Sequence, residues 1–186
     1  MTLTAITEQE LLEQCRKGNQ HAQMQVYDMY FKAMYNTSFR IVKDSAEAED
    51  IMQEAFLRAF SKLHTFKGES TFGAWLKRIV ANLSIAAYNK QKKYQEVSYE
   101  DEFAQTPSEP GGYLENEESY NTQVRLLLLS LEQLSENYRL ILNLHLIEGF
   151  DHEEICEIMK ITPVNCRTTL SRARESLRKK MMSYEK

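Results

Sequence analysis

Cysteine is scarce in this chain. There are three, Cys15, Cys156 and Cys166, an odd number with no C-x-x-C pair. A disulfide framework and a zinc site of ordinary spacing are both excluded, and the thiols read as core residues. The four histidines are scattered and form no H-E-x-x-H motif, so no metal ligands are expected. Gly-rich phosphate loops, a nucleophile elbow and a paired-carboxylate constellation are missing too, so no catalytic residue and no cofactor is expected. The longest apolar run in the second half is Leu126–Leu129, against roughly 20 residues needed to span a bilayer. No membrane insertion is expected. The N-terminus, MTLTAITEQELLEQ, has no basic segment leading into an apolar one, so a cytoplasmic location is expected rather than secretion.

Charge is plentiful but uneven. The net value is −4 over 186 residues. Residues 1–95 sum to +3 and residues 125–186 to +1, while residues 96–124 carry eight acidic and no basic side chains. That middle stretch also holds two of the three prolines and a Gly-Gly pair. Like charge, proline, glycine and serine together read as a linker. The expected organisation is an N-terminal domain over 1–95, an acidic linker over 96–120 and a C-terminal domain over 121–186. As a flexible coil the linker averages about 25–30 Å, while full extension reaches about 85 Å.

Both flanks read as helix. Thr7 and Glu10 have capping-box spacing, and Gly18 suits a helix stop. Asp44 is placed to cap a helix whose apolar positions, Ala48, Ile51, Met52, Ala55, Phe56, Ala59 and Phe60, keep a 3.6-residue period. Further on, Phe72, Trp75, Leu76, Ile79 and Leu83 form a second stripe, with Ser70 as the expected N-cap. Lys77, Arg78, Asn82, Ser84, Tyr88, Asn89 and Lys92 fall on the opposite side. From Ser70 to Gln95 there are five basic residues and no acidic one. No segment sustains the two-residue alternation of a strand. The fold is therefore expected to be all-α, two small helical domains.

In the second half, Val124, Leu127, Leu128 and Leu131 form one stripe, and Tyr138, Ile141, Leu142 and His145 another. The short helix DHEEICEIM, the turn KITP and a strongly basic helix follow the helix-turn-helix plan. On that last helix Cys166, Leu170, Ala173, Leu177 and Met181 share one face. Asn165, Arg167, Thr168, Ser171 and Arg172 are types that reach base edges. Arg174, Arg178, Lys179 and Lys180 are better matched to phosphates.

Three stretches, DSAEAEDIMQEAFLRAF, FKGESTFGAWLKRIVANLSIAAYNKQKK and GFDHEEICEIMKITPVNCRTTLSRARESLRK, occur in this order. Together they resemble bacterial RNA polymerase sigma factors of the extracytoplasmic-function (ECF) group of the sigma-70 family. The resemblance implies a region 2 bundle and a region 4 helix-turn-helix joined by the linker. It implies that Asp50, Gln53, Glu54, Leu57 and Arg58 meet the clamp helices of the largest subunit of core RNA polymerase, with region 4 on the flap of the second-largest. Phe66, Lys67, Gly68, Glu69 and Ser70 would form a loop capturing a flipped base of the −10 element, a step that costs a few kcal/mol. Lys77, Arg78, Asn82, Tyr88, Asn89, Lys92 and Lys93 would hold the melted strand. Asn165, Arg167, Thr168, Ser171, Arg172, Arg174 and Arg178 would engage the −35 element of promoter DNA, and an anti-sigma factor would hold the free protein silent. Phe72 and Trp75 read as core rather than stacking platforms. Two positions depart from the family's usual pattern: the run Asn82–Ala87 lacks a customary aspartate, and Thr169 stands where a basic residue is frequent.

Rival readings make different demands. A sigma-like decoy for an anti-sigma factor would not need the basic faces at 77–93 and 167–180. A plain helix-turn-helix regulator would need neither the acidic face around Leu57 nor the FKGES loop.

Overall fold

The computed structural model describes residues 7–98 and 122–184. The linker expected over 96–120 lies outside them, save for its first three residues. The described residues are helical and include no strand. The chain folds as two compact units, Met1–Glu100 and Asp101–Lys186.

The first unit holds α1 (Glu8–Arg16), α2 (Gln20–Val42), α3 (Ser45–Ser61), a 3₁₀ turn (Leu63–Thr65) and α4 (Phe72–Ser98). Local chemistry sets most of these boundaries. Thr7 and Glu10 close a reciprocal capping box on α1. Asp44 accepts from the Glu47 amide at 2.8 Å and caps α3. The expected cap of α4 is corrected by one residue. Thr71, not Ser70, accepts from the Ala74 amide at 3.2 Å, while Ser70 Oγ turns toward the Thr71 carbonyl.

The core of this unit gathers Leu11, Met34, Met52, Phe56, Leu63, Phe72, Leu76 and Val80 from all four helices and the turn. Fully burying a side chain of this size contributes about 1.5–3 kcal/mol. On α4 the buried line includes Phe72, Leu76, Val80, Ala81, Ser84 and Ile85, with Trp75, Ile79 and Leu83 half-buried along its edge. Ser84 therefore departs from the polar face expected for it. It is fully buried, 3.0 Å from Ser38 Oγ on α2 and 2.9 Å from the Val80 carbonyl. A small hydroxyl satisfied inside its own helix can sit in a core at little cost. Near the start of α4, Gly73 permits close approach to α2, since a Cβ there would lie 2.8 Å from the Tyr30 ring.

The second unit holds α5 (Thr122–Glu132), α6 (Glu136–Leu142), a π-helical turn (Asn143–Ile147), α7 (His152–Met159) and α8 (Pro163–Tyr184). Its core includes Leu131, Ile141, Leu142, Leu144, Ile155, Ile158 and Leu170. Asp151 and Glu154 form a second capping box at the start of α7. Lys160, at φ 55°, takes the left-handed conformation that ends α7, and its amide donates back to the Cys156 carbonyl. Thr162 then caps α8, accepting from the Asn165 amide at 3.2 Å, with Pro163 at the first helical position. The turn expected at KITP is thus a helix stop and a helix start two residues apart.

Candidate nucleic-acid interface

Three surfaces carry the residues singled out above. On α3, Asp50, Gln53, Glu54, Leu57 and Arg58 are all exposed. The i, i+3, i+4, i+7 spacing gives the first four a common face. Arg58 Nε donates to Glu54 at 2.6 Å and Gln53 donates to Glu49 at 3.3 Å. Leu57 is 67% exposed amid these polar groups.

The second surface is the loop from Phe66 to Thr71 and the outer side of α4. Lys67, Gly68, Glu69 and Ser70 are exposed. Gly68 sits at φ 76° with nothing within 4 Å of where a Cβ would stand, so the loop tip is open and its turn favours glycine. Phe66 differs from its neighbours. Its ring is half-buried against Trp75, with centroids 5.3 Å apart, and against Phe72 at 5.9 Å. Phe72 is buried and Trp75 half-buried, as a core role requires.

The loop is also tied from beneath by a residue with no motif to mark it. Arg16, at the end of α1, donates to the Phe66 carbonyl at 3.2 Å and reaches the Leu63 carbonyl at 3.5 Å. Nothing local assigns Arg16 this task, because its partners lie 47 and 50 residues away. Along α4, Asn82, Asn89, Lys92 and Lys93 are exposed, and Lys77, Arg78 and Tyr88 are half-buried.

The third surface is α8. Cys166, Leu170, Ala173 and Leu177 are buried and Met181 is half-buried, while Asn165, Arg167, Thr168, Ser171, Arg172, Arg174 and Arg178 are exposed or partly so. Burial first, then contact with Cys156, pushes the Cys166 thiol up to about 11, as befits a core thiol. The exposed side chains are not loose. Thr169 Oγ1 donates to Asn165 Oδ1 at 3.1 Å, a bond that occupies the side-chain oxygen of Asn165 and leaves its Nδ2 as the donor to present. Thr169, noted above as a departure from the family pattern, therefore orients a neighbour. Arg174 donates to His145 Nε2 at 2.6 Å. Since guanidinium can only donate, the imidazole carries its proton on Nδ1, 3.0 Å from the Phe150 carbonyl that accepts it.

Among the described residues no group of His, Cys, Asp and Glu is arranged to hold a metal ion, and no helix is long and apolar enough to cross a membrane. What the surfaces offer instead is an open loop over an aromatic cluster, a polar and basic helix behind it, and a second helix in helix-turn-helix setting with donors facing out.

Comparison with known proteins bears on the fold and the family. Residues 26–94 match Sigma-70 region 2, and residues 125–177 match Sigma-70, region 4. Over 180 residues the chain is 31% identical to the ECF RNA polymerase sigma factor SigW of Bacillus subtilis (strain 168), covering 91% of this chain and 94% of that protein. It is 30% identical over 182 residues to the ECF RNA polymerase sigma-E factor of Escherichia coli (strain K12), covering 95% of each. Among solved structures, the sigma factor RpoE in complex with the anti-sigma factor NepR from Bartonella quintana has a similar fold. The TM-score is 0.58 at 21% identity, over 86% of this chain and 96% of that one. CnrH, in complex with the cytosolic domain of CnrY, gives 0.51 at 22% identity over 93% and 96%. Two matched regions in order and full-length relatives at this identity decide the matter: the chain belongs to the ECF group of sigma-70 family RNA polymerase sigma factors.

Proposed function

We propose that this sigma factor seats on core RNA polymerase through the α3 face of Asp50, Gln53, Glu54, Leu57 and Arg58. Leu57 supports this reading most directly: a leucine 67% exposed at the centre of a charged face is the anchor-and-rim pattern of a binding surface. The loop at 66–70 takes a flipped base of the −10 element, and α4 tracks the single strand with Lys77, Arg78, Asn82, Tyr88, Asn89, Lys92 and Lys93. Stacking an unpaired base on an aromatic face returns about 1–3 kcal/mol, enough to offset much of its extrusion. In the second unit, Asn165, Arg167, Thr168, Ser171 and Arg172 read base edges of the −35 element, and Arg174 and Arg178 neutralise phosphates. Region 4 also rests on the flap of the second-largest subunit.

The chain contributes recognition and melting in the cytoplasm, and the polymerase performs the catalysis. Because two neighbours were solved with an anti-sigma factor or a partner's cytosolic domain bound, an anti-sigma factor is the proposed silencing partner here. Changing Gln53 and Glu54 together to alanine tests the seat. Both are exposed, so the fold persists while affinity for core polymerase falls, measured by fluorescence anisotropy. Unaltered assembly refutes the α3 assignment. Reconstitution with core polymerase and genome-wide mapping of start sites tests the reading as a whole.

A further inference from the structure

We propose that Val164 is a specificity residue of α8 that closes on the C5-methyl group of a thymine in the upstream promoter element; this rests on α8 reading base edges. Val164 lies in the first turn of α8 and is 67% exposed, matching Leu57 and Tyr94 at the top of the exposed large apolar residues described. It stands two residues before Cys166, which is fully buried. Two steps of about 100° place it across the helix from the core. Packing inside the unit therefore does not explain it. A β-branched residue is also a poorer helix former than the polar residues a solvated turn would accept.

Its neighbours sharpen the point. Thr168, one turn on, donates its hydroxyl to the Val164 carbonyl at 2.9 Å. The donor is spent within the helix, so Thr168 has a methyl group and lone pairs left to present. Arg167 bends its Nε back toward the Pro163 carbonyl at 3.4 Å. A small apolar spot, Val164 with the Thr168 methyl, thus sits among residues otherwise equipped for hydrogen bonding. In the major groove the thymine C5-methyl is the apolar group that base edges display. Phosphates and the other bases offer this spot nothing.

The test uses the full chain assembled with bacterial core RNA polymerase. Promoters are first selected from a library randomised over the upstream element. The preferred one is then remade with each thymine replaced singly by uracil, which deletes only the methyl group. The expected result is one position at which uracil weakens binding about fourfold, the worth of burying one methyl-sized group. Val164→Ala should shrink that penalty to below about twofold, while Arg172→Ala leaves it in place. A preferred element with no A·T pair, uracil tolerated at every position, or a full penalty persisting in Val164→Ala overturns the inference. Selection that yields no upstream preference at all overturns the reading of α8 beneath it, and that outcome is distinct from the others.

Discussion

Arg167 and Arg172 stand exposed on α8, five residues apart, on a helix whose other side is closed by Cys166 and Leu170. A bidentate arginine contact to guanine is worth about 1–3 kcal/mol of discrimination. Changing either to alanine should therefore cost that much at one upstream position, read by competition between promoters differing at single base pairs. Arg178→Ala should act differently, weakening all sequences alike and reducing the salt slope by about one. A single residue should also give the first unit a pH dependence. Burial foremost, then the hydrogen bond it donates to Glu8, pushes the Tyr30 phenol up to about 12. Folding thus favours the neutral phenol. Its stabilisation is complete below the ordinary tyrosine value near 10 and is lost as pH rises through about 12. Urea unfolding of the wild type should lose stability across that interval, and Tyr30→Phe should lose less. Equal losses would mean that Tyr30 is not the group responsible.

At the scale of the helix, end chemistry and stripes carry the argument. Removing the α3 cap by Asp44→Ala should destabilise the first unit by about 1 kcal/mol, measured by chemical denaturation followed by circular dichroism. The cap was legible in the sequence because Asp44 and the Glu47 amide it bonds are three residues apart. The same locality made the capping box at Thr7, the stripe of α3 and the two faces of α8 readable. Ser70 against Thr71 was not decidable that way. Both hydroxyls cap well, and only the position of the Ala74 amide selects Thr71. Ser84 is a different case: it stands four residues after Val80 on the buried line, so its facing is local, but its hydroxyl reads as polar surface and the Ser38 hydroxyl that meets it lies 46 residues earlier. The brace from Arg16 to the loop, and the Arg174–His145 bond across 29 residues, are likewise products of tertiary folding with no local signature. Sequence periodicity reports which way a side chain faces, and it is silent on what waits there.

For the whole chain the informative feature is the division of labour. Two weakly basic halves, +3 over residues 1–95 and +1 over residues 125–186, should each bind DNA poorly alone and with a strong dependence on salt. Held on one polymerase, each raises the other's effective concentration at the promoter. Two promoter elements about two helical turns apart are separated by roughly 70 Å, well beyond the average span of a relaxed linker. Residues 96–124 carry eight carboxylates and no basic side chain, and like charges along a chain repel one another. Replacing them with their amides should lower initiation from matched promoters in a reconstituted assay, and undiminished initiation would count against a role for that charge. Arg16 adds a lesson about where such a protein begins. It lies ten residues before the stretch that matches Sigma-70 region 2, yet its guanidinium grips the floor of the loop within that stretch. A version trimmed to the matched residues would retain what announces its kinship but surrender α1, the first turns of α2 and, with them, the strut under the Phe66 loop. The frontier of ancestry and the frontier of mechanical support run through different places in this polypeptide.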